Sequence, residues 1–434
     1  MAQPVFAFVA LTSGSYEGAI IRDMRLANEL HARGFQVLIY WMMETNHELV
    51  HRGIRQRMLC HGTRYQLSRP SNPLDFAGNA LNIYPQKRRR RFVQQHTDYV
   101  VRLMSNLARA VCDGDRGLED RLERWIIRDG VTHLLPTFAM ICPFAQAVKE
   151  RARAKFDYLV TFQGEEIFAN YAQRIGRLED YYARLRGAVA GSGWAAVAVS
   201  RDYIQRLSEE MGVDASRLRP IYPGITLPPA GKPPDMTALR AMLPNLRTDI
   251  PIVTYFGRQD SEKGIDLLLY AAKLLERDNI KMQLVACGGS SFGLKYREVC
   301  EQIAGHLRVP IIWKRRITDE AREALYTASR CIVYPSIHRE PFGMVVPEAM
   351  SHGTPVLIPD QGGITEAIGA GDAASGLTFR AWDTADLAAQ LKRLLTDDAL
   401  HARLSQNTRT VAANFSVEKM TDNILSHLGL SMHA

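Results

Sequence analysis

The sequence predicts an α/β protein built from two doubly wound domains, and three observations carry that expectation. The chain opens on a continuous apolar run, Val5 to Leu11, then a glycine-bearing turn, a helix-spaced apolar set and a second run, Val37 to Trp41. Runs that are apolar on both faces belong to parallel strands covered by helices. The same order restarts at Pro251 to Phe256. Between the two stands Pro228-Pro-Ala-Gly-Lys-Pro-Pro234, whose prolines make a stiff connector and mark a boundary. The domains therefore read as residues 1–227 and 228–414, followed by a terminal helical stretch.

Composition agrees with this reading. A chain of 434 residues exceeds one ordinary core, while 46% apolar and 23% charged residues are values for a globular protein. The formal charge of +8 favours anionic partners such as nucleotides or lipid headgroups. Six cysteines show no C-x-x-C pairing, and Cys142, Cys287 and Cys331 sit in apolar runs, which fits a reducing cytoplasm. No apolar run approaches the roughly 18 residues that would span a bilayer. Val5 to Leu11 is short, has no basic segment before it, and reads as a strand rather than a signal peptide.

In chain order, the turn Gly14 to Gly18 follows the first strand, and Ile20, Met24, Ala27 and Leu30 then fall at helical spacing before Gly34. In a doubly wound domain such a turn lies at the carboxyl ends of the strands, where ligands bind. Residues 45–130 are rich in Arg and polar residues, with helical spacing through Val100, Leu103, Met104, Leu107 and Val111. Lys87 to Arg91 is a run of five cations. It fits peripheral contact with anionic phospholipid, a site for an anionic acceptor, or a solvated charged face. Nucleic acid is disfavoured, since aromatic and basic residues are not interleaved. Asp113-Gly-Asp115 has the composition of a polar turn rather than of a metal site.

Val131 to Leu135 and Tyr158 to Phe162 read as further strands, the second followed by Gln163-Gly-Glu165-Glu166. Ala195 to Ser200 and Leu218 to Tyr222 follow. In the second domain, Pro251 to Phe256 leads into Gly257-Arg258-Gln-Asp-Ser-Glu-Lys263-Gly264. A guanidinium there can make a forked bond to phosphate, and Lys263 adds a point charge at the entrance of the helix from Ile265. Gln283 to Ala286 ends in Cys287-Gly288-Gly289, where small residues let a ligand approach the backbone. Pro310 to Trp313 and Cys331 to Tyr334 are the next strands, and Val417, Met420, Ile424 and Leu428 mark the terminal helix.

The most informative stretch runs from Tyr334 to Glu366 and includes Glu340-Pro-Phe342-Gly343-Met344-Val-Val-Pro347-Glu348-Ala-Met-Ser-His-Gly-Thr-Pro-Val. Pro347 suits the first position of a helix, which puts Glu348 in the first turn and Glu340 in the loop before it. Two carboxylates bracketing a glycine loop suit a ligand rich in hydroxyls and anionic oxygens, as a nucleotide sugar is.

This stretch, with seven residues between the glutamates, closely resembles the retaining glycosyltransferases of family four, which have the GT-B fold. The resemblance is specific from about Tyr222 to Phe415 and rests on strand and glycine pattern over the first domain. It implies two Rossmann-like domains facing a cleft, with the last helix, 415–434, crossing back to the first. It implies transfer of a hexosyl group from a nucleotide diphosphate sugar, UDP- or GDP-linked, to a hydroxyl of a saccharide or glycolipid, as in cell-surface polysaccharide synthesis. A cytoplasmic enzyme, peripheral at the inner face of the plasma membrane, is compatible with this.

The roles it implies are specific to residues. Arg258 and Lys263 match the G-R-x-x-x-x-K-G motif that holds the donor diphosphate, with no cofactor and no metal. Glu340 faces the donor sugar, Glu348 the ribose, and Phe342, Gly343 and Met344 the sugar or phosphate oxygens. Gly14, Gly18 and Gly288 approach the donor, although Ala19 departs from the usual paired glycines. Arg316 and Ile317 lie toward the base, and Glu165 or Glu166 toward the acceptor. Relatives often carry a histidine after the strand matching Val131 to Leu135, where this chain has Pro136-Thr137, and His133 falls two residues early. The alternative is a GT-B epimerase or hydrolase of nucleotide sugars, or a non-catalytic binder of them.

Overall fold

The opening apolar run becomes β1 (Val5–Ala10), and the second becomes β2 (Gln36–Trp41), paired in parallel from Val5 against Gln36 to Ala10 against Trp41. The computed structural model describes residues 3–11, 18–42, 48–59, 101–151, 155–229, 233–289 and 295–430. Gly14, the Lys87 to Arg91 run and Cys60 lie outside them.

The chain divides into two units, one of Met1–Tyr222 with Met420–Ala434, the other of Pro223–Lys419. In the first, β3 (Arg55–Met58), β4 (His133–Pro136) and β5 (Asp157–Tyr158) complete a five-stranded sheet of order β3-β2-β1-β4-β5. β6 (Thr161–Phe162), β7 (Ala196–Ala198) and β8 (Leu218–Pro220) form a separate three-stranded sheet. The single strand expected over Tyr158 to Phe162 is thus two short strands serving two sheets, since both halves are buried and apolar and local pattern does not register a change of partner. Between β1 and β2, helix Gly18–Ala32 buries Ile20, Met24, Ala27 and Leu30, as their spacing requires. Asp113-Gly-Asp115 is a turn: Gly114 adopts φ +83°, and Asp115 caps helix Arg116–Asp129 by accepting from Leu118 N at 3.0 Å. The terminal helix Val417–His427 contributes its later residues to this unit, with Arg33 Nη1 donating to Asp422 Oδ1 at 2.5 Å and His427 Nε2 2.7 Å from Ala195 O.

The second unit holds one parallel six-stranded sheet. Its strands are β9 (Ile252–Phe256), β10 (Gln283–Cys287), β11 (Ile311–Lys314), β12 (Cys331–Val333), β13 (Val356–Pro359) and β14 (Gly376–Phe379), in the order β11-β10-β9-β12-β13-β14. Strand order reverses between β9 and β12, which pair directly, Val253 with Cys331 and Thr254 with Ile332. In open α/β sheets ligands sit beyond the carboxyl ends of the strands at such a reversal. The Gly257–Lys263 loop leaves the end of β9, and the Tyr334–Glu340 segment leaves the end of β12. Topology therefore delivers both motif loops to one place.

Candidate active site

Backbone contacts draw three loops together beyond the sheet. Gly257 N donates to Cys287 O at 3.1 Å, Gln259 N to Gly289 O at 2.8 Å, and Ile337 N to Glu262 O at 3.0 Å. The approach is close enough to require glycine. At Gly288, φ is +137° and a Cβ would stand 1.8 Å from Gly257 O; at Gly264, φ is +63° and a Cβ would stand 2.1 Å from Pro335 O.

This convergence seats Lys263 against Glu340. The Lys263 ammonium donates to Glu340 Oε1, and Ser336 Oγ donates to the same oxygen at 2.8 Å. Both side chains are almost wholly buried, at 6% and 8% exposure. Burial alone would lift the Glu340 carboxyl, but the Lys263 charge and hydrogen bond outweigh it and hold the group below its ordinary value. Burial would likewise lower Lys263, and Glu340 overrides it to raise the ammonium. Both groups are therefore charged at neutral pH. The Lys263 ammonium also lies 5.7 Å from the centre of the Tyr334 ring, which stacks on Tyr255 at 6.0 Å.

Arg258 is more open and is oriented by carboxylates of its own loop. Its Nη1 donates to Asp260 Oδ2 at 2.9 Å and its Nη2 to Glu262 Oε1 at 2.5 Å, while the Tyr255 hydroxyl donates to the Arg258 carbonyl. A guanidinium has five donors, so these bonds leave others for a ligand. Asp260, Glu262 and Ser336 were not expected as site residues. Their only sequence signal is their position inside the two motif loops.

Helix Val345–Ser351 begins two residues before Pro347, so Pro347 is its third residue rather than its first. The correction is physically small, because N–H groups of the whole first turn lack partners within the helix and a proline is tolerated there. Glu348 stays in that turn, and the Tyr326 hydroxyl donates to its Oε2 at 3.3 Å. Phe342 is buried against Phe415, with ring centres 5.3 Å apart, while Gly343 and Met344 are half-buried. Arg316 is exposed and Ile317 half-buried just after β11; Gly18 is the exposed first residue of its helix.

In the first unit, Glu165 is fully buried. Tyr181 donates its hydroxyl to Glu165 Oε1 at 2.5 Å, and Glu165 N donates to the Tyr203 hydroxyl at 2.6 Å. Tyrosines thus enclose the Glu165 carboxyl in the interior of this unit. Glu166, half-buried, accepts from the Tyr203 hydroxyl at 2.7 Å. His133 lies within β4 and stacks on Trp194 at 5.3 Å, a packing role.

Burial pushes the Glu165 carboxyl from 4.5 up to about 8, against the Tyr181 hydrogen bond. The unfolded chain releases this proton near 4.5 and the folded chain near 8, so between these values the folded state holds the extra proton. Stability then falls as pH rises through that window, by at most about 1.4 kcal/mol per pH unit from this group. Glu165→Gln keeps an acceptor for Tyr181 and removes the titration. Its denaturation midpoint should fall less steeply from pH 5 to pH 8 than that of the wild type, and equal slopes would exclude Glu165 as the source.

Residues 244–411 match the family model described as glycosyl transferases group 1. The D-inositol 3-phosphate glycosyltransferase of Nocardia farcinica is 33% identical over 238 residues, 53% of this chain and 51% of that protein. The enzyme of the same name from Salinispora arenicola is 32% identical over 239 residues, 52% and 53% of the two chains. The chain thus spans about half the length of these curated relatives. Among solved structures, sucrose-phosphate synthase from Thermosynechococcus elongatus superposes with a TM-score of 0.73 at 22% identity, covering 98% of both chains. Anabaena Alr3699/HepE in complex with UDP does so at 0.70 and 14% identity, covering 98% of this chain and 99% of that one. The protein therefore has the GT-B fold of these glycosyltransferases, and its residues 244–411 resemble the group 1 glycosyl transferases.

Proposed function

We propose that the protein is a retaining transferase of family four that moves a hexosyl group from a nucleotide diphosphate sugar to a hydroxyl of a saccharide, glycolipid or polyol. The observation that carries this reading is the buried Lys263–Glu340 pair, which joins the two motif loops at the strand-order reversal and keeps a cation and a carboxylate side by side.

In this reading Arg258 and Lys263 stabilise the charge that develops on the departing diphosphate, the part a metal ion plays in other transferases. Preorganisation supports it, because Asp260 and Glu262 already hold the guanidinium and Glu340 the ammonium, so little reorientation accompanies reaction. Glu340 accepts from donor sugar hydroxyls through oxygen lone pairs left by Lys263 and Ser336, and Glu348 accepts from the ribose. N–H groups from Phe342 to Met344 meet sugar or phosphate oxygens. Gly288, Arg316 and Ile317 border the nucleotide. On the acceptor side stands Glu165 or Glu166.

The donor is taken to be UDP- or GDP-linked, since a solved neighbour of the fold is complexed with UDP, and the curated relatives are named for a phosphorylated polyol. No helix among the described residues is long and apolar enough to cross a membrane. We place the protein in the cytoplasm, acting at the inner membrane face when its acceptor is a lipid, as in cell-surface polysaccharide synthesis.

A thermal-shift panel of UDP, GDP, ADP and dTDP sugars tests the donor. One of them at a hundred times its Kd should stabilise the protein by about 2.7 kcal/mol. No shift with any of them would overturn the reading. With that donor labelled, nucleoside diphosphate should be released faster when acceptor is added, whereas acceptor-independent release would instead identify a hydrolase, and a changed nucleotide sugar without release an epimerase.

A further inference from the structure

Three strand ends of the first unit bring polar side chains to one buried spot that the donor machinery does not use. Arg22 and Asp23 lie near the start of helix Gly18–Ala32, which follows β1. Thr137 directly follows β4, its N–H donating to Val9 O at 2.9 Å. Gln163 directly follows β6, and its Nε2 donates to Thr137 O at 2.9 Å and stands 3.5 Å from Asp23 Oδ1. All four therefore stand beyond carboxyl ends of parallel strands, the ligand-binding side of such sheets.

The Arg22 side chain is only 3% exposed, and its Nη1 donates to Asp23 Oδ1 at 2.6 Å. Its Nε and Nη2 are buried with no hydrogen-bond partner among the described residues, and the Thr137 hydroxyl is buried beside Asp23. Nε and Nη2 form one edge of the guanidinium, the edge that grips two oxygens of a carboxylate or phosphate in parallel. A buried cationic donor left unbonded is costly, and here two such donors of one edge are left with a hydroxyl in the same cluster. Two parallel donors on one cation are met best by two oxygens of an oxyanion. Asp23 occupies the opposite nitrogen and orients the free edge. Burial lifts its carboxyl above the ordinary value against the pull of Arg22.

We propose that Arg22 and Thr137 form a subsite for an oxyanion, phosphate or carboxylate, carried by a small hydroxylated acceptor. The identification of the ligand as acceptor rests on the transferase reading; the anion site rests on Arg22 itself. Isothermal titration of the full chain, with UDP saturating any diphosphate site, should separate the two. At least one of glucose 6-phosphate and glucuronate should bind the wild type about tenfold or more tightly than glucose, and which one binds distinguishes phosphate from carboxylate. Arg22→Gln should lose that preference, and Thr137→Val should weaken the anionic sugar severalfold, with the UDP affinity of both variants unchanged. Should Arg22→Gln fail to fold, Thr137→Val carries the test. Glucose binding as tightly as both anionic sugars, or wild-type anion affinity in the variants that fold, would overturn the subsite. Anion binding without UDP binding would support the subsite and count against the donor reading.

Discussion

Replacing Lys263 by alanine should reduce sugar transfer by about two to three orders of magnitude, as removal of a preorganised charge donor does. It should also destabilise the second unit by about 3–5 kcal/mol, because Glu340 is left charged and buried without its partner. The stability part goes beyond what the motif implies, since a lysine reserved for a ligand would be removed at little structural cost. Denaturant titration of Lys263→Ala and Lys263→Ala/Glu340→Gln separates the two effects. The double variant should recover much of the stability, because no unpaired charge remains, while staying as inactive as the single one. A single variant with wild-type stability would show that the pair does not hold the loops together.

Arg258→Ala should behave differently. Its pairs with Asp260 and Glu262 are partly exposed and are discounted accordingly, so stability should change by less than about 1 kcal/mol. Binding of the nucleoside diphosphate should weaken by about 10- to 100-fold, the worth of a hydrogen-bonded charge contact of roughly 1.5–3 kcal/mol. Arg258→Lys should recover only part of this, because an ammonium does not reproduce the fork. Titration with the diphosphate of the preferred donor reads all three proteins. Equal affinity in Arg258→Ala would remove this residue from the diphosphate site.

Both predictions depend on features that differ in how far the sequence shows them. The strands β9, β10 and β12 stand close to their apolar runs, and the helix expected from Ile265 runs over Ile265–Arg277 and buries Ile265, Leu268, Leu269, Ala271, Ala272 and Leu275. Boundaries were less legible. A helix start at Val345 rather than Pro347 turns on one or two backbone hydrogen bonds, and a strand shared between sheets over Asp157–Phe162 has the same apolar pattern as an unbroken one.

The amino-acid sequence by itself determined the two α/β repeats and the motif loops, because periodicity and turn chemistry are local properties of the chain, and the motifs' resemblance to family-four glycosyltransferases, carried by consecutive residues, made Arg258, Lys263, Glu340 and Glu348 candidates. Tertiary structure alone decided which of those groups meet. Lys263 and Glu340 are 77 residues apart and become an ion pair only because β9 and β12 are neighbours at the strand-order reversal. Burial likewise depends on the packed surroundings, so an exposed-looking Gln-Gly-Glu-Glu segment places Glu165 among tyrosines and an ordinary helix start hides the unbonded edge of Arg22. Desolvation sets the charge state and cost of each group, and it exists only once distant segments have closed around it.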